Sequence, residues 1–205
     1  DGLDNDFDIN VDVSGDWLVV GASATMFTAN TQGVLSGAAY VYQRTAQGWT
    51  FRQRVIAPVG AENDFFGEAV AIDGDRLLIG APRMVDVNDP DNTFAAVATF
   101  IYERQADNRW THQHTFTEEP MVIQGYFGAY VALDGPRVLI GANRGHNRGN
   151  HVWSSYRTAD GQWSNLVEVT PPADDLTVGA NFGQTLVIDG DSAVIGSPGG
   201  PQSVS

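Results

Sequence analysis

The sequence predicts an all-β protein built from a repeated four-stranded antiparallel sheet. Three observations predict it: a short pattern that recurs with fixed internal spacing, apolar strand pairs joined by tight turns, and no persuasive helical period. The pattern is an aromatic-led start followed fourteen residues later by a small-residue turn. Phe66-Gly67 leads to Gly80-Ala81-Pro82, Phe127-Gly128 to Gly141-Ala142-Asn143, and Phe182-Gly183 to Gly196-Ser197-Pro198. A worn copy opens the chain, from Phe7-Asp8 to Gly21-Ala22-Ser23. The units stand 55 to 61 residues apart, and self-similarity at such a period marks a repeat architecture.

The second unit shows the order of its elements. Ala69-Val70-Ala71-Ile72 is a short apolar run that ends at Asp73-Gly74, a two-residue hairpin signal. Leu77-Leu78-Ile79-Gly80 returns as a second apolar strand closed by Pro82. Neither run alternates with polar residues, so both faces are expected to be buried. A polar loop leads to a third strand at Thr99-Phe100-Ile101-Tyr102, and a turn at Asp107-Asn108 leads to a fourth from Trp110 to Phe116. That last strand alternates, with Thr111, Gln113 and Thr115 expected on one face.

The other units keep this order. The first offers Val11 to Val13, Trp17 to Val20, Ala39 to Tyr42 and Trp49 to Arg52. The third offers Val131 to Leu133, Val138 to Ile140, Val152 to Tyr156 and Trp163 to Val169. Polarity rises from first strand to fourth, as a radial sheet requires: small apolar residues at a crowded axis, polar ones at the rim. Arg52, Arg54 and Glu168 are placed to blunt that outer edge. A four-stranded antiparallel sheet repeated this way reads as a β-propeller blade.

The Phe-Gly and Gly-Ala-Pro elements, with Ala71-Ile72-Asp73-Gly74-Asp75 between them, resemble FG-GAP repeats of the integrin α-subunit propeller type. The likeness covers almost the whole chain. It departs at Asp8, where glycine is expected, at Asn143 in place of proline, and in the fourth unit, which stops after two strands. The expected fold is therefore a β-propeller segment of about three and a half FG-GAP-type blades in one domain. The blades are expected at about 1–58, 59–118 and 119–171, with a half blade at 172–205.

Composition narrows the partners. Of 205 residues, 25 are acidic and 11 basic, every basic one an arginine, for a net charge of −14. Binding to nucleic acid or to an anionic membrane rests on basic patches, so neither is expected. No stretch nears the roughly 20 apolar residues of a membrane-crossing helix, and no membrane insertion is expected. The amino terminus is rich in aspartate and does not read as a signal peptide, so either such a segment has been removed or the chain is a piece of a longer protein. Cysteine is absent, which excludes disulfides and thiolate metal sites.

Many FG-GAP blades carry a calcium loop between their first two strands, as the resemblance implies. Here that connection is only Ser14-Gly15-Asp16, Asp73-Gly74-Asp75, Asp134-Gly135-Pro136 or Asp189-Gly190-Asp191, too short to wrap an ion. These are expected to be tight hairpins without metal. If calcium binds at all, Asp86, Asn88, Asp89 and Asp91 in the long loop of the second unit are the expected ligands, with Asn92 beside them; no bidentate glutamate follows, and a solvated acidic loop is the competing reading. No other cofactor is expected. His112 and His114, two apart on an outer strand, are expected to share a face, where a zinc reading competes with ordinary surface histidines and lacks a third ligand. His146 and His151 flank Arg144 and Arg148, the only basic cluster, which fits either an anionic ligand or an internal acidic partner. Tyr40, Tyr42, Phe100, Tyr102, Trp49, Trp110 and Trp163 recur at matching places and are expected to pack between blades rather than to stack sugars.

No nucleophile elbow or phosphate-binding glycine loop is present. The resemblance implies a non-catalytic extracellular or cell-surface module for binding or adhesion. The alternatives are a structural spacer of a large surface protein and an accessory propeller of a secreted hydrolase. The long loops Ser23 to Gly37, Arg83 to Ala95 and Asn143 to Asn150 are expected on the same face as the links between blades. Asn30, Asp86, Asp89, Arg144, His146 and Arg148 are the residues expected to meet a protein or glycan ligand. Three and a half units cannot close a ring. Further blades, or another chain, are expected to cover open flanks such as Val187 and Val194. Two copies would not complete the fourth unit, because neither end carries spare third and fourth strands.

Overall fold

The computed structural model of the chain describes residues 10–23, 26–27, 34–35, 37–58, 65–82, 97–117, 126–143, 151–171 and 182–198. The first sheet holds β1 (Val11–Ser14), β2 (Trp17–Ala22), β5 (Ala38–Thr45) and β6 (Gly48–Val55), side by side and antiparallel. Between β2 and β5, where the sequence predicts only loop, β3 (Met26–Phe27) and β4 (Val34–Leu35) form a small ribbon of their own. The second sheet runs β7 (Val70–Asp73), β8 (Arg76–Ala81), β9 (Ala98–Arg104) and β10 (Trp110–Thr117). The third runs β11 (Tyr126–Asp134), β12 (Arg137–Asn143), β13 (His151–Tyr156) and β14 (Val167–Val169). A hairpin of β15 (Thr185–Asp189) and β16 (Ser192–Gly196) follows. The described residues contain strands and turns and no helix, so none is long and apolar enough to cross a membrane. They form three complete propeller-type blades and half of a fourth, and do not close a ring.

The hairpins between first and second strands turn one residue later than the Asp-Gly signal suggests. Asp73 pairs with Arg76 and Asp134 with Arg137, leaving Gly74-Asp75 and Gly135-Pro136 as the two-residue loops. Gly74 has φ +58° and Gly135 +50°, while the residue after each stays at negative φ. Positive φ at the first loop position alone is the pattern of a type II′ turn, which wants glycine there. Aspartate is thereby freed from the turn, and its carboxylate serves elsewhere.

The core lies between blades. Trp17, Val19 and Val41 of the first blade meet Val70, Ile72, Leu77 and Ile79 of the second. Ala71, Leu78 and Ile101, on the other side of the second blade, meet Phe127, Val138 and Ile140 of the third. Ala132, Leu139 and Val152 meet Leu186, Ile188 and Ile195 of the fourth unit. Each blade thus offers one set of alternate residues to its predecessor and the other to its successor, which is why β7 and β8 lack polar alternation.

The recurring motif makes these joints. A Cβ on Gly21 would overlap the carbonyl oxygen of Gly67, and one on Gly80 that of Gly128. Gly141 stands in the same relation to Gly183. The small-residue turn of one blade therefore receives the aromatic-glycine backbone of the next, and only glycine leaves room for it. Gly67 and Gly128 sit at φ +95° and +91°, and side chains there would strike the preceding blade as well. Phe66 and Phe127 are fully buried beside them, Phe66 against Phe100 at 5.6 Å and Phe127 against Trp153 at 5.3 Å between ring centroids.

Two expected strands are altered. The last strand of the third blade is β14 alone; Trp163 keeps a single antiparallel bridge to Arg157, and residues from Ser164 to Leu166 leave the ladder. The Ser155 hydroxyl donates to the Ser164 carbonyl at 2.8 Å and the Tyr156 N–H donates to Ser164 Oγ at 3.1 Å. Such side-chain bonds displace ladder bonds. In β10 a bulge falls between His112 and His114.

Candidate functional site

The strand register gives each blade two distinct ends. Ala22 pairs with Ala38, and Ala39 with Val55, so the long connection from β2 to β5 and the link to the next blade both leave from one end. The second blade repeats this at Ala81 and Ala98, and the third at Ala142 and His151. Three long connections therefore leave from equivalent ends of three blades. The predicted ligand residues Asn30, Asp86, Asp89, Arg144, His146 and Arg148 belong to them and lie outside the described residues. So do the predicted metal ligands Asp86, Asn88, Asp89 and Asp91. His151, the described neighbour of the basic cluster, is hydrogen-bonded through Nδ1 to Glu168 and stacks on Trp153.

The opposite, hairpin end carries an array that sequence inspection does not reveal. Asp73 Oδ2 accepts the N–H of Gly135 in the next blade at 2.6 Å. Asp134 Oδ2 accepts that of Gly190 at 2.7 Å, and Ser14 Oγ that of Gly74 at 3.0 Å. The aspartates of these tight hairpins are latches between blades. Asp12 adds a second link in the first joint, its Oδ2 accepting the Ile72 N–H at 2.8 Å. Charged groups reinforce the array. Glu103 Oε1 accepts from Arg76 Nε at 3.3 Å and from Arg157 Nη1 of the third blade at 2.6 Å. Arg76 Nη1 also donates to the Gly135 carbonyl at 3.1 Å, and Arg137 pairs with Asp191. No group of three or more His, Asp or Glu side chains among the described residues is gathered to hold a metal ion.

The histidine pair is separated by the bulge. His112 pairs with Tyr102 and His114 with Ile101, with Gln113 as the extra residue. His112 packs edge-on to Phe100 and Tyr102, on the side of the first blade. His114 packs edge-on to Phe116 at 4.5 Å and near Trp163, on the side of the third. The two rings do not share a face, and neither do Thr111 and Thr115, because one inserted residue reverses the alternation. Burial, then the neighbouring His112, holds the His114 imidazole below its usual pKa. Of the recurring aromatics, Phe100, Tyr102 and Trp110 are buried between blades, while Trp49 is exposed, since no blade among the described residues lies on that side of β6. Tyr102 donates its hydroxyl to the Ile56 carbonyl at 2.6 Å, and burial pushes its phenol well above the ordinary value.

A cleft of about 270 Å³ at the hairpin end is lined by Gln43, Arg52, Gln53, Asp107, Asn108 and Arg109. Gln53 forms its floor, donating to the Trp110 carbonyl at 2.8 Å and accepting the Trp110 N–H at 2.9 Å. Two guanidinium groups at its rim offer forked donors suited to a carboxylate or sulfate. Sequence reading missed it because its arginines come from β6 and the β9–β10 turn, which only blade packing brings together.

Antiparallel four-stranded sheets joined face to face through glycine contacts define the chain as a propeller-type repeat protein. Residues 49–96, spanning β6 to β8, match the family model described as FG-GAP repeat, and the chain carries that repeat. FG-GAP repeats typically build propeller modules for binding and adhesion. No curated protein sequence matches the chain.

Proposed function

We propose that the chain is a non-catalytic module for binding or adhesion outside the cell or at its surface, meeting a protein or glycan ligand through the long connections at one end of its blades. The observation that carries this reading is the register: the connections after Ala22, Ala81 and Ala142 leave from equivalent blade ends. A rigid scaffold that displays loops of free sequence from one side is a common design for recognition. The integrin-like character suggested by the sequence belongs to the same proposal, as does a single domain over 1–205.

The test is a glycan and extracellular-protein array probed with the labelled 205-residue chain, followed by replacement of residues 83–95 with a short Gly-Ser linker. The expected result is a ligand bound by the wild-type chain and lost on loop replacement, with the thermal transition kept. Full binding by the loop-replaced chain would move the site away from this loop. Silence of the chain on all arrays would favour a spacer.

A further inference from the structure

We infer that the cleft between the first and second blades binds a sugar acid, a hydroxylated ring that carries one carboxylate. All four strands of each blade that forms it are described, and the two blades pack directly on one another. The next joint along shows what this one lacks. There Glu103, on β9 of the second blade, accepts from Arg157 of the third at 2.6 Å and from Arg76 at 3.3 Å. The strand register places Gln43 of the first joint where Glu103 stands, Arg104 where Arg157 stands and Trp17 where Arg76 stands. Arg104 crosses its joint as Arg157 does, but it meets a neutral amide and an indole in place of a carboxylate. Its guanidinium lies 5.0 Å over the Trp17 ring and donates through Nη1 to Asn108 Oδ1 at 3.1 Å. Its Nε is buried with no hydrogen-bond partner among the described residues. One joint supplies its own anion; the other gathers the cations without one.

The remaining arginines sharpen the contrast. In a chain of net charge −14, Arg44, Arg76, Arg137 and Arg157 are each ion-paired with an acidic residue. Arg52 and Arg109 have no side-chain partner among the described residues, and both line the cleft. Arg52 is the extra residue of a bulge in β6, where Val41 pairs with Gln53 and Tyr42 with Phe51. It stands outside the ladder, as bulge residues beside binding sites often do. Three guanidinium groups thus gather about the single carboxylate of Asp107, whose Oδ1 already accepts the Arg109 N–H at 3.0 Å. Forked donors of this kind match a carboxylate. Charge alone would also admit sulfate, but the other lining groups select against it. The Gln43 carbonyl oxygen and the second Asp107 oxygen are acceptors, which repel a wholly anionic ligand and take hydroxyl donors. The six lining residues include no apolar side chain, and about 270 Å³ has room for one ring rather than a chain. The cleft lies at the hairpin end, away from the long connections, so it is a second site independent of the recognition surface proposed above.

The test titrates the whole chain by calorimetry at low salt with sodium glucuronate and sodium galacturonate, beside glucose, acetate and sulfate. At least one uronate is expected to bind saturably. Each control lacks either the carboxylate or the hydroxyls, so it should bind about tenfold more weakly or worse, the factor a charge-assisted hydrogen bond supplies. Gln43→Glu gives the first joint the carboxylate of the second, and is expected to abolish uronate binding with the thermal transition kept or raised. Arg109→Gln should weaken binding about tenfold, and decides the matter should Gln43→Glu lose its β-sheet circular dichroism. Replacing residues 83–95 with the Gly-Ser linker should leave uronate binding unchanged, because that loop leaves from the other end. The proposal is overturned if neither uronate binds, if acetate or sulfate binds as well as the uronates, or if a folded Gln43→Glu or Arg109→Gln chain binds undiminished. Loss of uronate binding on loop replacement overturns it too.

Discussion

The second blade and the units at either end are built to one plan, yet they differ in what their apolar residues do. Leu78 is 0% exposed and Val194, its counterpart, 68%; Ile72 is 4% exposed and Val13 55%. Nothing in the local sequence separates these pairs, since each is an aliphatic residue in a strand beside a glycine-first turn. The difference comes from the neighbour. In an array of this kind a residue's contribution is set by whether a blade lies against it, so stability behaves as intrinsic terms plus nearest-neighbour terms.

That comparison can be broken most directly at the glycine joints. Gly80→Ala should cost about 3 kcal/mol or prevent folding, because its methyl group would meet backbone that cannot move aside. Gly196→Ala should cost under about 1 kcal/mol, its methyl meeting Thr185 of the same hairpin and no closer than 3.1 Å. Equal urea midpoints for the two variants would show that the joint is not what the glycine serves.

Cavity formation gives the next contrast. Leu78→Ala should lower stability by about 3 kcal/mol, while Val194→Ala should change it by less than about 0.5 kcal/mol. The latches come third. Asp73→Ala removes the acceptor for the Gly135 N–H and should cost about 1 kcal/mol, with faster hydrogen exchange at that amide. Asp189→Ala, with no such partner among the described residues, should leave the urea midpoint in place.

The smallest effect is in pH. His114 has a folded pKa below that of the unfolded chain, so the unfolded state takes up a proton first on acidification. Its contribution is present in full above the unfolded value of about 6.5 and is lost as pH falls through that value toward the folded one. The melting temperature should therefore decline slightly between about pH 7.5 and 5.5, and His114→Gln should flatten the decline.

Much of the fold was legible because strand pairs and turns are local. The fourteen-residue spacing between Phe66 and Gly80 follows from two strands and a two-residue loop that bring those residues to one end of the blade, where the Gly67 N–H donates to the Gly80 carbonyl at 3.0 Å. The candidate site was less legible, for physical reasons. Asp73 looks like part of a tight turn and nothing more until blade packing sets it against a glycine 62 residues away. The bulge at Gln113 leaves no compositional mark, so His112 and His114 read as neighbours on one face. The Arg52–Arg109 cleft exists only through the packing of two blades.

The glycine joint has a consequence for how such a chain can change. The aromatic-glycine half of the motif works against the blade before it, while the small-residue half receives the blade after it. The piece that must be inherited intact is thus the seam, and the blade is the cargo between two seams. A blade with both halves can be duplicated, deleted or exchanged without rewriting its neighbours, since every seam accepts the same pair of ends. The spacing between units is then free to wander, as it does from 55 to 61 residues, because length added between seams goes to the loops and leaves the register of the joints untouched.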